Sequence, residues 1–174
     1  MPSGTSGIAL SPADLRAVAG YAGEALEIFE QAHPGDFRAR DAIDAAWTFA
    51  RGGRRGKALR DTAWAALRAA REASTAAAAD AARAAMSAAS AAYLHPLADP
   101  HQVKHILGAA AHAARAAELR AGDDRAVGAE QLTRARQRVT PAVVAVLRRY
   151  PAAPAGGGRP GELLRELDEA LRAT

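Results

Sequence analysis

An all-α, single-domain bundle of about seven to eight helices is the fold class that three features of the sequence predict. Fifty of the 174 residues are Ala, the strongest helix former and one that loses no side-chain entropy in a helix. Aromatic residues make up only 5%, and no run of β-branched residues suggests a sheet. Helix start signals recur along the chain, several of them a capping residue followed by Pro. A chain of this length can bury a core of its own, and small Ala side chains let helix axes approach closely.

Residues 1–10 read as a disordered lead-in to a helical bundle over 11–151. Ser11, Pro12 and Asp14 fit N-cap, N1 and N3 of a first helix, in which Leu15, Val18, Ala22, Ala25, Leu26 and Phe29 form one apolar stripe. Pro34 stops it, and Asp36 can cap a second helix with Ala39, Ile43, Ala46, Trp47 and Ala50 on one face. The "RGGRRGK" stretch at 51–57 ends that helix. A third is predicted over about 57–73 and a fourth over about 75–94. The fourth is nearly all Ala and Ser and should therefore be central, with neighbours packed closely around it. Asp99 and Pro100 open a fifth helix that ends at Gly122; a sixth follows over 123–139; Thr140 and Pro141 open a seventh, ending at Tyr150 and Pro151. A Pro/Gly-rich loop over 152–160 leads to a C-terminal helix, 161–174, packing on the same domain.

Several function classes drop out. With no Cys there is no disulfide framework, thiolate metal site or Cys nucleophile. No stretch approaches the ~18 apolar residues of a membrane span, and "MPSGTSGIALSP" lacks the basic start and apolar core of a signal peptide, so a cytoplasmic, membrane-free protein is expected. A net charge of +4 and a pI near 10.1 raise the question of nucleic acid. The basic residues are nearly all Arg, spread among 19 acids without a basic stripe, so nucleic acid is not the expected partner. "RGGRRGK" falls one residue short of a phosphate loop, Ala58 replaces its hydroxyl, and no strand precedes it. Trp47 and Trp64 read as core anchors, and Ser87 and Ser90 lack a nucleophile elbow.

The chemistry-bearing feature is "HPLADPHQVKHILGAAAH", 95–112, which holds four of the five histidines. At about 100° per residue, Val103, Ile106, Leu107, Ala110, Ala114 and Ala117 share a core-facing stripe. His101, His105 and His112 fall on the opposite side together with Gly108, whose bare backbone permits close approach. His101 and His105 have the i, i+4 spacing of two ligands on one helix, but no carboxylate or H-E-x-x-H accompanies them, so no metal and no cofactor is expected. If the chain is an enzyme, His33, Asp36, His95, His101 and His105 are its candidate acid/base groups. Arg40, Tyr93, Lys104, Gly108 and His112 are the candidate ligand-binding residues. Helix capping is the structural alternative for Asp36, and a polar helix–helix contact is that for the histidines.

Three segments, "AHPGDFRARDAIDAAWTFARG", "AYLHPLADPHQVKHILGAAAHAARAAEL" and "VLRRYPAAPAGGGRPGELLRELDEAL", resemble in order and spacing the small all-helical immunity proteins of actinobacteria. Members of that family are often mislabelled as SbcC exonuclease, whose ATPase needs the phosphate loop missing here. The resemblance spans residues 12–172 and implies an α-helical cytoplasmic protein that neutralises a toxin from the same genome by protein–protein contact. It carries over no catalytic residues, but its segments hold His33, Asp36, Arg40, Tyr93, His95, Lys104 and His105. Two functions thus stand side by side: an immunity-type binder of a protein toxin, and a small cofactor-independent enzyme or ligand-binding protein of specialised metabolism with a His-lined pocket for a small molecule. Neither sets an oligomeric state.

Overall fold

The structure is a computed structural model that describes residues 10–93 and 99–174. Among the described residues it contains eight α-helices, two short 3-10 turns and no strand. The helices are α1 (Pro12–Ala32), α2 (Arg38–Ala50), α3 (Lys57–Glu72), α4 (Ala76–Ser90), α5 (Val103–Arg120), α6 (Arg125–Arg138), α7 (Pro141–Leu147) and α8 (Gly158–Arg172). Most of the predicted lead-in, 1–9, lies outside the described residues; Leu10 is buried.

The start signals act as local chemistry requires. Ser11 Oγ accepts from the Asp14 backbone N–H, and Asp14 returns the bond to the Ser11 backbone, completing a capping box. Thr75 caps α4, Asp124 caps α6 and Thr140 caps α7 in the same manner. Asp99 accepts from His101 N–H, but the first turn after it, Pro100–Gln102, is 3-10 before the chain widens into α5. Phe37 occupies the N-cap position of α2 where Asp36 was expected; Asp36 still accepts the Arg38 backbone N–H, from one residue further out.

α4 and α5 pack against each other at the centre. α1 lies across both, α2 and α3 flank α4, and α6, α7 and α8 flank α5. Both helices are rich in buried Ala, among them Ala78, Ala81, Ala85 and Ala88 on α4 and Ala109, Ala110, Ala113 and Ala116 on α5. Gly108 marks a close approach of the two helices, since a Cβ there would lie 3.1 Å from Ser87 Oγ. The larger apolar side chains are supplied around this axis, by Phe29 of α1, Ile106 and Leu107 of α5, Leu147 of α7, and Leu163 and Leu167 of α8.

Trp64 departs from its expected place in the core and is 56% exposed. The buried stripe of α3 runs through Leu59, Ala63, Ala66 and Ala70, and Trp64 sits about 100° round the helix from Ala63. Trp47 is half-buried beneath the Arg51 guanidinium, 5.9 Å from its ring centre. No helix among the described residues is long and apolar enough to cross a membrane.

The far end of the bundle is held by one buried acid. Glu118 of α5 is fully buried, and Arg159 at the start of α8 reaches it with Nη2 2.7 Å from Oε1. Arg115 Nη1 donates to the other carboxylate oxygen at 2.9 Å. α6 closes over the pair at Gly128, where any Cβ would overlap the Glu118 carboxylate. Arg159→Met is expected to lower the unfolding free energy by about 3 kcal/mol, because it leaves a buried carboxylate with half its partners. Urea unfolding monitored by helical circular dichroism measures this. A loss below about 1 kcal/mol would show that Arg115 alone satisfies Glu118.

Candidate functional site

The side of α5 that carries the histidines is a contact face, covered by α4 and by the first turn of α8. Met86 and Ser87 of α4, Lys104, His105, Gly108 and His112 of α5, and Gly157, Pro160 and Leu164 around the start of α8 line a cleft of about 280 Å³. Glycines at 156, 157 and 161 fold tightly on one another at the start of α8, and the small side chain of Ser87 lets α4 come close to Gly108.

Within the cleft His112 Nδ1 is hydrogen-bonded at 2.8 Å to Asp80 Oδ1 of α4. Asp80 is buried, and this bond fixes both its position and the orientation of the imidazole. His105 lies one full turn from Gly108 and two from His112. Burial lowers its imidazole below the ordinary value of 6.5, since the apolar walls disfavour the charged ring. Lys104 is exposed at the rim. An imidazole, an ammonium and a hydroxyl facing one space form a donor set suited to a small polar molecule.

The other sequence-predicted site residues are elsewhere. His101 is exposed in the 3-10 turn and does not line the cleft, and His95 lies outside the described residues. His33 ends α1 and is stacked near Phe29 with ring centres 5.2 Å apart. Its Nε2 accepts from the Ser74 backbone N–H at 3.0 Å, tying the α1–α2 turn to the α3–α4 turn. Asp36 forms a two-point pair with Arg38, which also reaches Glu72 at 2.8 Å. The Arg38 guanidinium beside it holds the Asp36 carboxyl below the usual carboxylate range. Arg40 grips Glu30 through two bonds of 2.7 Å. Tyr93 donates its hydroxyl to Gly56 O at 3.2 Å, with the Arg60 guanidinium 5.8 Å from its ring centre. So of the ten candidates, His105, His112, Lys104 and Gly108 share one cleft, while His33, Asp36 and Arg40 build the joint between α1, α2 and α3.

Among the described residues no three His, Asp or Glu side chains come together as metal ligands. Sequence reasoning passed over Asp80 and Glu118, the acids that organise α5. Both carried a signal: Asp80 is the one charged residue in "TAAAADAA", and Glu118 falls about 60° from Val103 on the helical wheel, at the edge of the core stripe.

A family described as Imm-5 like putative immunity protein matches residues 17–140, from the second turn of α1 to the N-cap of α7. The chain belongs to that family. The match to this Imm-5 like family takes in α2 to α6 whole, and with them His33, the Asp80–His112 pair and Glu118. The third segment of the resemblance, 146–171, lies beyond the matched stretch, so α8 and Arg159 complete the cleft and the Glu118 cluster from outside it. No curated protein and no solved structure matches the chain.

The depressed His105 value has a defined consequence for pH. The unfolded chain takes up this proton first as pH falls. The His105 contribution is therefore fully present above 6.5 and is lost as pH drops from 6.5 to the lower native value. Stability should decline across that window, and His105→Gln should flatten part of the decline. Urea midpoints between about pH 7.5 and about pH 5 test it; parallel profiles for the two proteins would mean that His105 titrates as it does in the unfolded chain.

Proposed function

We propose that this member of the Imm-5 like family is an immunity protein that neutralises a partner toxin by protein–protein contact in the cytoplasm. The observation that carries this proposal is the family match across residues 17–140, which takes in most of α1 and all of α2 to α6. The architecture supports it. Helix caps, Ala-on-Ala packing and paired buried acids hold the surface in one conformation, and a preformed surface loses little entropy on binding. The imidazoles of His33 and His112 are each engaged in joints between helices, a use that fits a binding scaffold as well as a site of chemistry.

One observation favours the second function, a small-molecule site: His105, Lys104 and Ser87 face the cleft between α4, α5 and α8. Such a site needs no toxin, so the two are separable.

Co-expression decides the matter. Toxin domains encoded in the genome of origin are induced one at a time in a sensitive bacterial host, with and without this chain. The expected outcome is restored growth against one toxin and a co-purifying complex of the two proteins. Growth arrest by every toxin regardless of the chain would overturn the proposal and turn attention to ligands of the His105 cleft.

A further inference from the structure

One short stretch of this molecule is densely basic. Residues 51–60 carry Arg51, Arg54, Arg55, Lys57 and Arg60 and no acid, five positive charges against a net +4 for the whole chain. The remainder is therefore close to neutral. This segment is the α2–α3 turn with the first turn of α3, so all five side chains sit at one end of that helix pair. Lys57 pairs with Asp61 at 3.1 Å, whereas Arg54 and Arg55 are exposed and have no charged partner among the described residues. Arg51 and Arg60 lie over the rings of Trp47 and Tyr93, held outward by the aromatic faces beneath them.

Immediately beside these cations is an apolar groove of about 280 Å³. Arg60, Ala63, Trp64 and Leu67 of α3, with Met86 and Tyr93, line it, and the exposed indole of Trp64 forms part of its wall. Tyr93 joins the groove to the basic turn through its bond to Gly56 O. An exposed Trp flanked by unpaired Arg is the composition of energetic centres in protein interfaces. A nucleic-acid strand would ask for successive open rings on which bases stack. Here two of the three aromatic faces are already covered by guanidinium groups, and the third opens on Leu67 and Met86, which suit an apolar side chain.

We propose that the α2–α3 end of the bundle is the surface that docks the toxin, and that it takes an acidic protein surface: an apolar side chain seated against Trp64 and Leu67, with Asp or Glu residues around it meeting Arg54, Arg55 and Arg60. This inference rests on the immunity function proposed above. Complementary charge of this kind also speeds encounter and makes it sensitive to salt.

The test uses the full chain, the double variant Arg54→Glu/Arg55→Glu, the single variant Trp64→Ala, and Arg134→Glu as a charge reversal on exposed α6. In the co-expression assay the wild type and Arg134→Glu should protect. The double variant and Trp64→Ala should each lose at least about tenfold in affinity for the toxin, with unchanged thermal unfolding. Full protection by both variants would overturn the docking surface and leave the immunity function standing. If the wild type protects against nothing, the immunity function fails, and fluorescence anisotropy decides the surface. The probes are a short labelled peptide with Phe among Asp and Glu, its counterpart with Lys in place of the acids, and a single-stranded DNA oligonucleotide. Preference for the acidic peptide, lost in the double variant, keeps an acidic protein as occupant. Preference for DNA, or no binding of the acidic peptide, overturns it.

Discussion

The close approach of α4 to α5 is the constraint on which the other helices depend. Both helices are largely Ala, and Gly108 meets Ser87 across their contact, so small side chains let the two backbones approach. Each Ala buries little surface and contributes little transfer energy. It also gives up no rotamer freedom, and the dense backbone contact gathers many weak dispersion interactions. Such a contact has almost no side-chain slack, so it fixes the separation of the two axes. Most of the larger buried side chains, Phe29, Leu147, Leu163 and Leu167, come from helices packed around the central pair, and Ile106 and Leu107 of α5 meet them.

Buried carboxylates fix the order in which those outer helices dock. An isolated charge in an apolar interior is costly, so each buried acid holds its element to the one place where its partners are. Asp14 accepts from Thr140 Oγ1 at 2.6 Å, joining the cap of α1 to the cap of α7. Asp80 fixes α4 to α5 through His112, Glu118 fixes α5 to α8 through Arg159, and Asp168 accepts from the Ala153 backbone to seat the loop before α8. A neutral version of the same device joins α1 to α6: Tyr21 donates to Ala135 O at 3.0 Å, and burial pushes its hydroxyl up to about 12. An Ala-rich interface offers little shape by which to choose a register; these polar bonds supply it.

The same economy shapes what the surface offers. Most arginines are turned to carboxylates or backbone carbonyls, as Arg40 is to Glu30 and Arg172 to Asp168. Of the histidines in the 95–112 stretch, His105 and His112 line one cleft, where His112 is paired with Asp80, and His101 is exposed, while His33 serves a turn-to-turn joint elsewhere. The α2–α3 end combines guanidinium groups that have no charged partner among the described residues, Arg54 and Arg55, with the exposed indole of Trp64.

The sequence by itself determined the helices and their starts, because those signals act over one turn. Ser11 with Asp14, Asp99 before Pro100, and Thr140 before Pro141 are visible without any knowledge of the fold, as is the expectation that a helix of nearly all Ala and Ser must be central. It also determined which faces of α1 and α2 are apolar, since that is set by a period of 3.6. Only the tertiary structure decided what the polar residues do. Asp14 reads as a cap and is also the anchor of Thr140, 126 residues away. His112 reads as part of a row on one helix and is the partner of Asp80 on another. Trp64 reads as core and stands at the surface, because burial on α3 is fixed by where α2 and α4 lie, and a periodic pattern of small residues leaves that azimuth open. Local propensity acts through neighbours in the chain, whereas the role of a charge or a ring is set by neighbours in space.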